Sequence, residues 1–344
     1  MAAGWNTGWK KSIALIKNQK NTSGGFIKGV VSRVESKDCY VLVPETGNII
    51  RCAVKGKFKN EYNLKKDKLY KVNLAVVGDK VEFEENSDGT GIVYKIEARK
   101  NYLSRKAPKI KGAGYRGERL EQVIAANVDN LFVVSSVGIP KFNNKAVDRI
   151  IVAGESSSLN IYLVINKTDL DDDYEAEVWK ELYASVGYNV ITSSVVTGEG
   201  IEEIKGLLKG RKNIFWGHSG VGKSSLLNSM YELLNFKTGQ TSTFTQKGKH
   251  TTVTSIMVRV EPDTYIIDTP GIREIDPYGI TKENLGHYFI EFKPYIDMCR
   301  FNTCTHNHEP GCAVVAAVEE EKIPVERYES YLYMLETIED DMVF

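Results

Sequence analysis

The residues best equipped for chemistry stand between positions 217 and 224. Gly217-His218-Ser219-Gly220-Val221-Gly222-Lys223-Ser224 reads G-x-x-x-x-G-K-[ST], the spacing of a loop that holds phosphate. Glycines let backbone N–H groups close around the oxygens. Lys223 is expected to reach the β and γ phosphates and Ser224 to ligate Mg²⁺. Ser219, Gly220, Val221 and Ser225 complete the cradle. Apolar residues 213–216 read as a strand ahead of the loop and 225–234 as a helix behind it, the context the motif requires.

The loop alone does not choose between bases. Asn166-Lys167-Thr168-Asp169 reads N-K-x-D at the end of an apolar run, 161–165. A carboxylate at Asp169 can accept from both the N1–H and the N2 amino group of guanine, whereas adenine would leave it unpaired. Ser194-Val195-Val196-Thr197-Gly198-Glu199-Gly200 is similar to the third base-side element of such sites, with Val195 in place of the usual Ala. Contact there runs mostly through backbone, so the change is expected to be tolerated.

Asp268-Thr269-Pro270-Gly271 closes a further apolar run. Asp268 has the position of the acid that holds Mg²⁺ through water, and Gly271 that of the γ-phosphate sensor. Thr251 or Thr252 supplies the switch threonine; Ser224, Thr251 and Asp268 form the expected Mg²⁺ set. The base-reading elements precede the phosphate loop, whereas the usual order places them last. Sheet packing does not depend on where the chain is cut, so the same site can form. The permutation makes the segment after Asp268 lead into the C-terminal region, and Gly271 is expected to act as a pivot that repositions that region with the γ-phosphate state.

Ile272 stands where many GTPases carry a glutamine that orients the attacking water. Intrinsic turnover is therefore expected to be slow. His250, beside the threonines, can donate or accept and titrates near neutral pH; it is the candidate for positioning water, ahead of His218.

Cys299, Cys304 and Cys312 lie within fourteen residues, with His306 and His308 between them. Three thiolates and one imidazole suit a closed, structural Zn²⁺ site. Either histidine could be the fourth ligand.

These groups need elements to place them. Residues 1–23 read as a lead-in without core pattern. Short strands at 29–34, 40–43, 48–53, 70–72, 80–84 and 91–97, punctuated by turns, suggest a small β-barrel, an OB-fold, over 24–100. Residues 101–120 are basic and glycine-containing and read as a linker. From 121 to 275 buried strands (131–135, 161–165, 190–193, 213–216, 255–260, 264–267) alternate with helices (147–156, 174–186), which argues for a parallel-rich α/β domain with helices on both faces. Residues 276–344 read as a zinc-binding, helical C-terminal domain.

The 344 residues carry no net charge, with 42% hydrophobic and 26% charged residues, as an ordinary globular chain does. The balance conceals an asymmetry. Residues 24–106 hold 17 Lys and Arg against 11 Asp and Glu, and 319–341 are strongly acidic. A basic front module can attract phosphate locally. No stretch of 18 apolar residues occurs and no signal-peptide pattern opens the chain; a cytoplasmic protein without a membrane partner is expected.

Taken together, these strings resemble the RsgA family of ribosome-small-subunit-dependent GTPases over about 24–339. The carriers are residues 122–129 (QVIAANVD), Asn166–Asp169, residues 220–228 (GVGKSSLLN), Lys249-His250-Thr251-Thr252, and the stretch from Cys299 through Glu309-Pro310-Gly311-Cys312. The resemblance implies an OB-fold, a circularly permuted P-loop GTPase domain and a zinc domain with His306 as the fourth ligand. It also implies GTP hydrolysis to GDP stimulated by the small ribosomal subunit and its rRNA, during late subunit maturation, by a monomer. Lys249, Thr303 and Lys322 depart from the family's usual residues without removing a ligand or phosphate contact. The alternative reading is a nucleotide-gated RNA-binding module whose hydrolysis is incidental.

Overall fold

A computed structural model of the chain describes residues 25–35, 38–55, 75–106, 121–231, 255–269 and 277–338. The expected lead-in, the strand at 70–72, His250, Thr251, Thr252, Gly271 and Ile272 lie outside the described residues.

Among the described residues, five strands form the front module: β1 (Ile27–Glu35), β2 (Asp38–Leu42), β3 (Ile49–Val54), β4 (Lys80–Glu85) and β5 (Gly91–Ile96). Their order is β1-β2-β3-β5-β4, and β4 pairs back onto β1, so the sheet closes. The closing pairs run Ile27↔Phe83 to Val30↔Lys80. Alternation supplies the core: Val31, Cys39, Val41, Cys52, Val81, Phe83 and Val93 point inward, as a period of two dictates. Closure leaves this small barrel no open edge, and the topology is the expected OB-fold.

The start of the expected linker is a strand. Tyr102–Lys106 forms β6, paired antiparallel with β7, Glu121–Ala126. Leu103 and Lys106 are buried there. A basic, glycine-containing sequence hid a strand whose order comes from its tertiary partner.

The α/β region carries β8 (Asn130–Ser136), β9 (Asn160–Asn166), β10 (Asn189–Ser193), β11 (Lys212–Trp216), β12 (Ile256–Glu261) and β13 (Thr264–Asp268). The order is β10-β9-β8-β11-β13-β12; all neighbours are parallel except β12 on β13. Every residue of β8 is buried, as expected of a central parallel strand covered on both faces. Leu131 and Val133 face one core together with Leu163 of β9, while Phe132 and Val134 face the other.

On the first face lie α1 (Asn144–Ser156) and α2 (Glu175–Ser185); on the second lie α3 (Ile201–Leu208) and α4 (Lys223–Met230). Asn143 caps α1, its Oδ1 accepting from Ala146 N at 3.0 Å, so the helix starts three residues before the expected 147. The helix after the phosphate loop is shorter than expected: it ends at Met230, and Tyr231 is extended.

The C-terminal region contains α5 (Lys293–Ile296), α6 (Ala313–Glu319) and α7 (Val325–Thr337). Its core of Phe289, Phe292, Val314, Tyr331 and Met334 includes Val152 of α1. Contacts that tie the barrel to the α/β sheet include the pairing of Arg33 of β1 with Ile256 of β12, Arg259 Nη1 donating to Pro44 O at 2.8 Å and Lys212 Nζ donating to Gly78 O at 3.1 Å.

Candidate active site

Five parallel strands deliver their carboxyl ends to one edge, where ligands of open α/β sheets bind. Trp216 ends β11 and feeds the phosphate loop. Asn166 ends β9, Ser193 ends β10 and Asp268 ends β13.

The phosphate loop fits its neighbours closely. A side chain at Gly217 would overlap Val134 O, and one at Gly222 would overlap Asn166 Nδ2. Gly220 and Gly222 have φ of +87° and +95°, where a Cβ is strained. Asn166 Nδ2 donates to Val221 O at 2.9 Å, so the base-side element braces the phosphate loop directly. Lys223 Nζ donates to Gly217 O at 2.6 Å and His218 O at 2.7 Å, which keeps the ammonium over the mouth of the loop. Burial lowers its pKa to about 8, opposed by the nearby Asp268 charge. Burial likewise raises Asp268 to about 6, opposed by Lys223. Ser219, Ser224 and Ser225 lie in the same loop-to-helix turn, with Ser219 exposed and the other two half-buried.

On the base side, β9 and β10 pair with Asn166 opposite Ser193. Ser193 Oγ donates to Asn166 Oδ1 at 3.1 Å, and Ser194 Oγ donates to Asp169 Oδ1 at 2.5 Å. Val196 N and Thr197 N donate back to Ser194 Oγ. Lys167 is left-handed, φ 67°, and its Nζ donates to Ile139 O. The carboxylate of Asp169 is thus aimed while one oxygen keeps lone-pair capacity for a ligand.

Sequence reasoning placed Glu199 in the third base-side string but gave it no role. Its carboxylate accepts from Thr168 Oγ1 at 2.6 Å and Thr192 Oγ1 at 2.7 Å, bridging the two base-side loops. Those hydrogen bonds lower its pKa. The only signal was its place inside the Thr197–Gly200 turn, where Gly200 carries the constraint that catches the eye. His218 is exposed in the phosphate loop.

The cluster of Cys299, Cys304, His306 and Cys312 assembles as expected, with all four donor atoms within 4.8 Å of one another. His306 Nδ1 lies 3.5 Å from both Cys299 Sγ and Cys312 Sγ, and those sulfurs are 3.9 Å apart. Tetrahedral bonds of about 2.3 Å to sulfur and about 2.0 Å to nitrogen require edges of roughly 3.8 and 3.5 Å. Cys299, His306 and Cys312 therefore stand at the spacing of a four-coordinate metal site, with Cys304 Sγ within 4.8 Å of each. His308 is not in it. Tyr331 OH and Tyr328 OH hold the ligand loop by donating to Thr305 O and His306 O, and a side chain at Gly286 would crowd the His306 ring.

Residues 96–278, more than half of the chain, match the family model described as RsgA GTPase. The chain belongs to the RsgA GTPase family. It is 40% identical to the small ribosomal subunit biogenesis GTPase RsgA of Chlorobaculum parvum, covering 91% of this chain and 99% of that one. It is 37% identical to the RsgA of Bacteroides fragilis, covering 91% and 98%. Among solved structures it is similar to YjeQ from Thermotoga maritima, with a TM-score of 0.71 at 33% identity over 91% of this chain and 98% of that one. It is also similar to YloQ, a circularly permuted GTPase, with a TM-score of 0.68 at 25% identity over 95% and 99%. As an RsgA GTPase the chain is a GTP hydrolase with permuted motifs, and the edge built by β8, β9, β10, β11 and β13 is where those of its motifs that lie among the described residues converge. No helix among the described residues is long and apolar enough to cross a membrane.

Proposed function

We propose that this protein, as a single copy in the cytoplasm, binds the small ribosomal subunit, hydrolyses GTP to GDP in response, and leaves during late subunit maturation. The observation that carries the reading is the brace between Asn166 and Val221: it joins the base-reading and phosphate-holding elements although the chain presents them in permuted order. The relatives' names, small ribosomal subunit biogenesis GTPase, support the choice of the small subunit as partner.

In this reading Gly217, Ser219, Gly220, Val221, Gly222 and Ser225 wrap the phosphates, and Lys223 neutralises the β and γ oxygens. Asn166, Lys167, Asp169 and Ser194 select guanine. Ser224, Thr251 and Asp268 hold Mg²⁺, which supplies charge neutralisation on the phosphates when bound. Thr251 or Thr252 and Gly271 sense the γ-phosphate, and His250 positions the attacking water in place of the side chain that Ile272 lacks. The metal cluster takes one structural Zn²⁺, because three sulfurs and one nitrogen leave no open position. The barrel and the zinc domain meet rRNA.

The test is GTP turnover by the purified protein with and without purified small ribosomal subunits. Stimulation of at least about ten-fold supports the reading; unchanged turnover with GTP still bound overturns the choice of partner. Ile272 favours one rival, a nucleotide-gated RNA-binding module whose hydrolysis is incidental. A variant that binds GTP without hydrolysing it separates them: trapping on the subunit supports the enzyme cycle, normal release the module.

A further inference from the structure

Beside the guanine-side loops, four large apolar side chains stand in solvent: Ile139 is 83% exposed, Leu170 50%, Tyr174 78% and Val178 62%. Their segments adjoin. A side chain at Gly138 would touch Leu170 Cβ at 3.0 Å, Val178 N donates to Tyr174 O one helical turn away, and Phe142 stacks on Trp179 at 4.6 Å, tying the 139–142 loop to α2. Scattered exposed apolar residues are ordinary, but a contiguous group marks an interaction surface.

Two further observations single out this group. Tyr174 has φ 58° and ψ 27°, and its side chain makes no capping hydrogen bond. A bulky residue in the left-handed region is an outlier, and such strain concentrates at functional surfaces. The surroundings are also acidic: from Lys167 to Glu181 seven carboxylates stand against two lysines. Asp171 is used internally, accepting from Glu175 N and Ala176 N, and Glu177 is paired with Lys180. Asp172, Asp173 and Glu181 are exposed.

The geometry points to a docking surface for a basic polypeptide segment, with Tyr174 and Val178 as apolar anchors and Asp172 and Asp173 as the charged rim. Complementary charge steers such a segment in. The same carboxylates repel a phosphate backbone, so this edge faces protein while the basic barrel faces RNA. The inference rests on the proposed function in taking the segment from a protein of the small ribosomal subunit.

The experiment uses the full chain, purified small ribosomal subunits and a non-hydrolysable GTP analogue. Val178→benzoylphenylalanine is irradiated in the complex. The expected product is a ribonuclease-resistant adduct that maps to a Lys- and Arg-rich segment of a subunit protein. Asp172→Lys with Asp173→Lys is expected to lower subunit affinity by at least about ten-fold while guanine-nucleotide affinity and the thermal melt stay unchanged. A ribonuclease-sensitive adduct, an adduct to a second copy of this chain, no adduct within a formed complex, or full affinity after charge reversal each overturns the inference alone. Failure to form any complex overturns the proposed function and this inference together.

Discussion

Arg327 of α7 and Asp148 of α1 are 179 positions apart and form a fully buried ion pair. Arg327 Nε also donates to Glu291 Oε1 at 2.6 Å, and its guanidinium lies 4.7 Å from the centre of the Phe289 ring. Tyr183 OH donates to the same Asp148 oxygen at 2.7 Å. The GTPase and C-terminal domains therefore share a buried charge cluster at their junction, in which both hydrogen bonds fall on Asp148 Oδ1 and Oδ2 has no hydrogen-bond partner among the described residues. A γ-phosphate-driven repositioning of the whole C-terminal domain would have to part it.

Removing one member of such a cluster strands its partners in low dielectric. Arg327→Ala is expected to destabilise the protein by about 3–5 kcal/mol, and Tyr183→Phe by about 1 kcal/mol. Denaturant midpoints of the two variants check this, and equal effects would count against the charge argument.

Protonation of the phosphate site has a defined sign. Lys223, lowered to about 8, is cationic below that pH; Asp268, raised to about 6, is ionised above that pH. Both are charged only between those values. Affinity for Mg²⁺–GTP is expected to peak there and to fall on either side by up to about ten-fold per pH unit. Titrations with a fluorescent GTP analogue from acid to alkaline pH check the two limbs.

Asp169→Asn replaces an acceptor with an amide donor. Guanine then loses its paired acceptor, and GTP affinity is expected to fall by about two orders of magnitude, while xanthosine triphosphate, with a carbonyl at that position, gains. Ser194→Ala, which only releases the aim of Asp169, is expected to cost about ten-fold. Competition binding with the two nucleotides distinguishes the variants.

The metal cluster is also a helix cap. Cys312 Sγ accepts from Val315 N at 3.5 Å at the start of α6. Cys304→Ser is expected to abolish stoichiometric zinc in elemental analysis. Cys312→Ser should do the same and also loosen α6, seen as earlier amide exchange at residues 313–319. Guanine-nucleotide binding, remote from the cluster, is expected to survive both changes.

The site was legible in the sequence because phosphate and guanine chemistry restrict residue type at consecutive positions, 166–169 and 217–224. Strands such as β8 were legible because two-sided burial writes a continuous apolar run. The β6–β7 hairpin was not: its partners are separated by fourteen basic and glycine-containing residues, and its strand 102–106 carries only one aliphatic residue, Leu103. The Arg327–Asp148 pair left no signal either, since a contact across 179 positions has no local periodicity. Glu199 was hidden among turn residues for the opposite reason. Its partners, Thr168 just after β9 and Thr192 within β10, meet only once β9 and β10 pair.

The pairing of Arg33 with Ile256 makes the barrel and the α/β region hydrogen-bonded neighbours in one sheet. With the Arg327 cluster at the other junction, both flanking units are joined to the α/β region by direct contacts. Binding surfaces on separate units then act as if already at high effective concentration toward one another. The entropy of orienting them is lost during folding, so a large ligand engaging two of them meets a preorganised receptor.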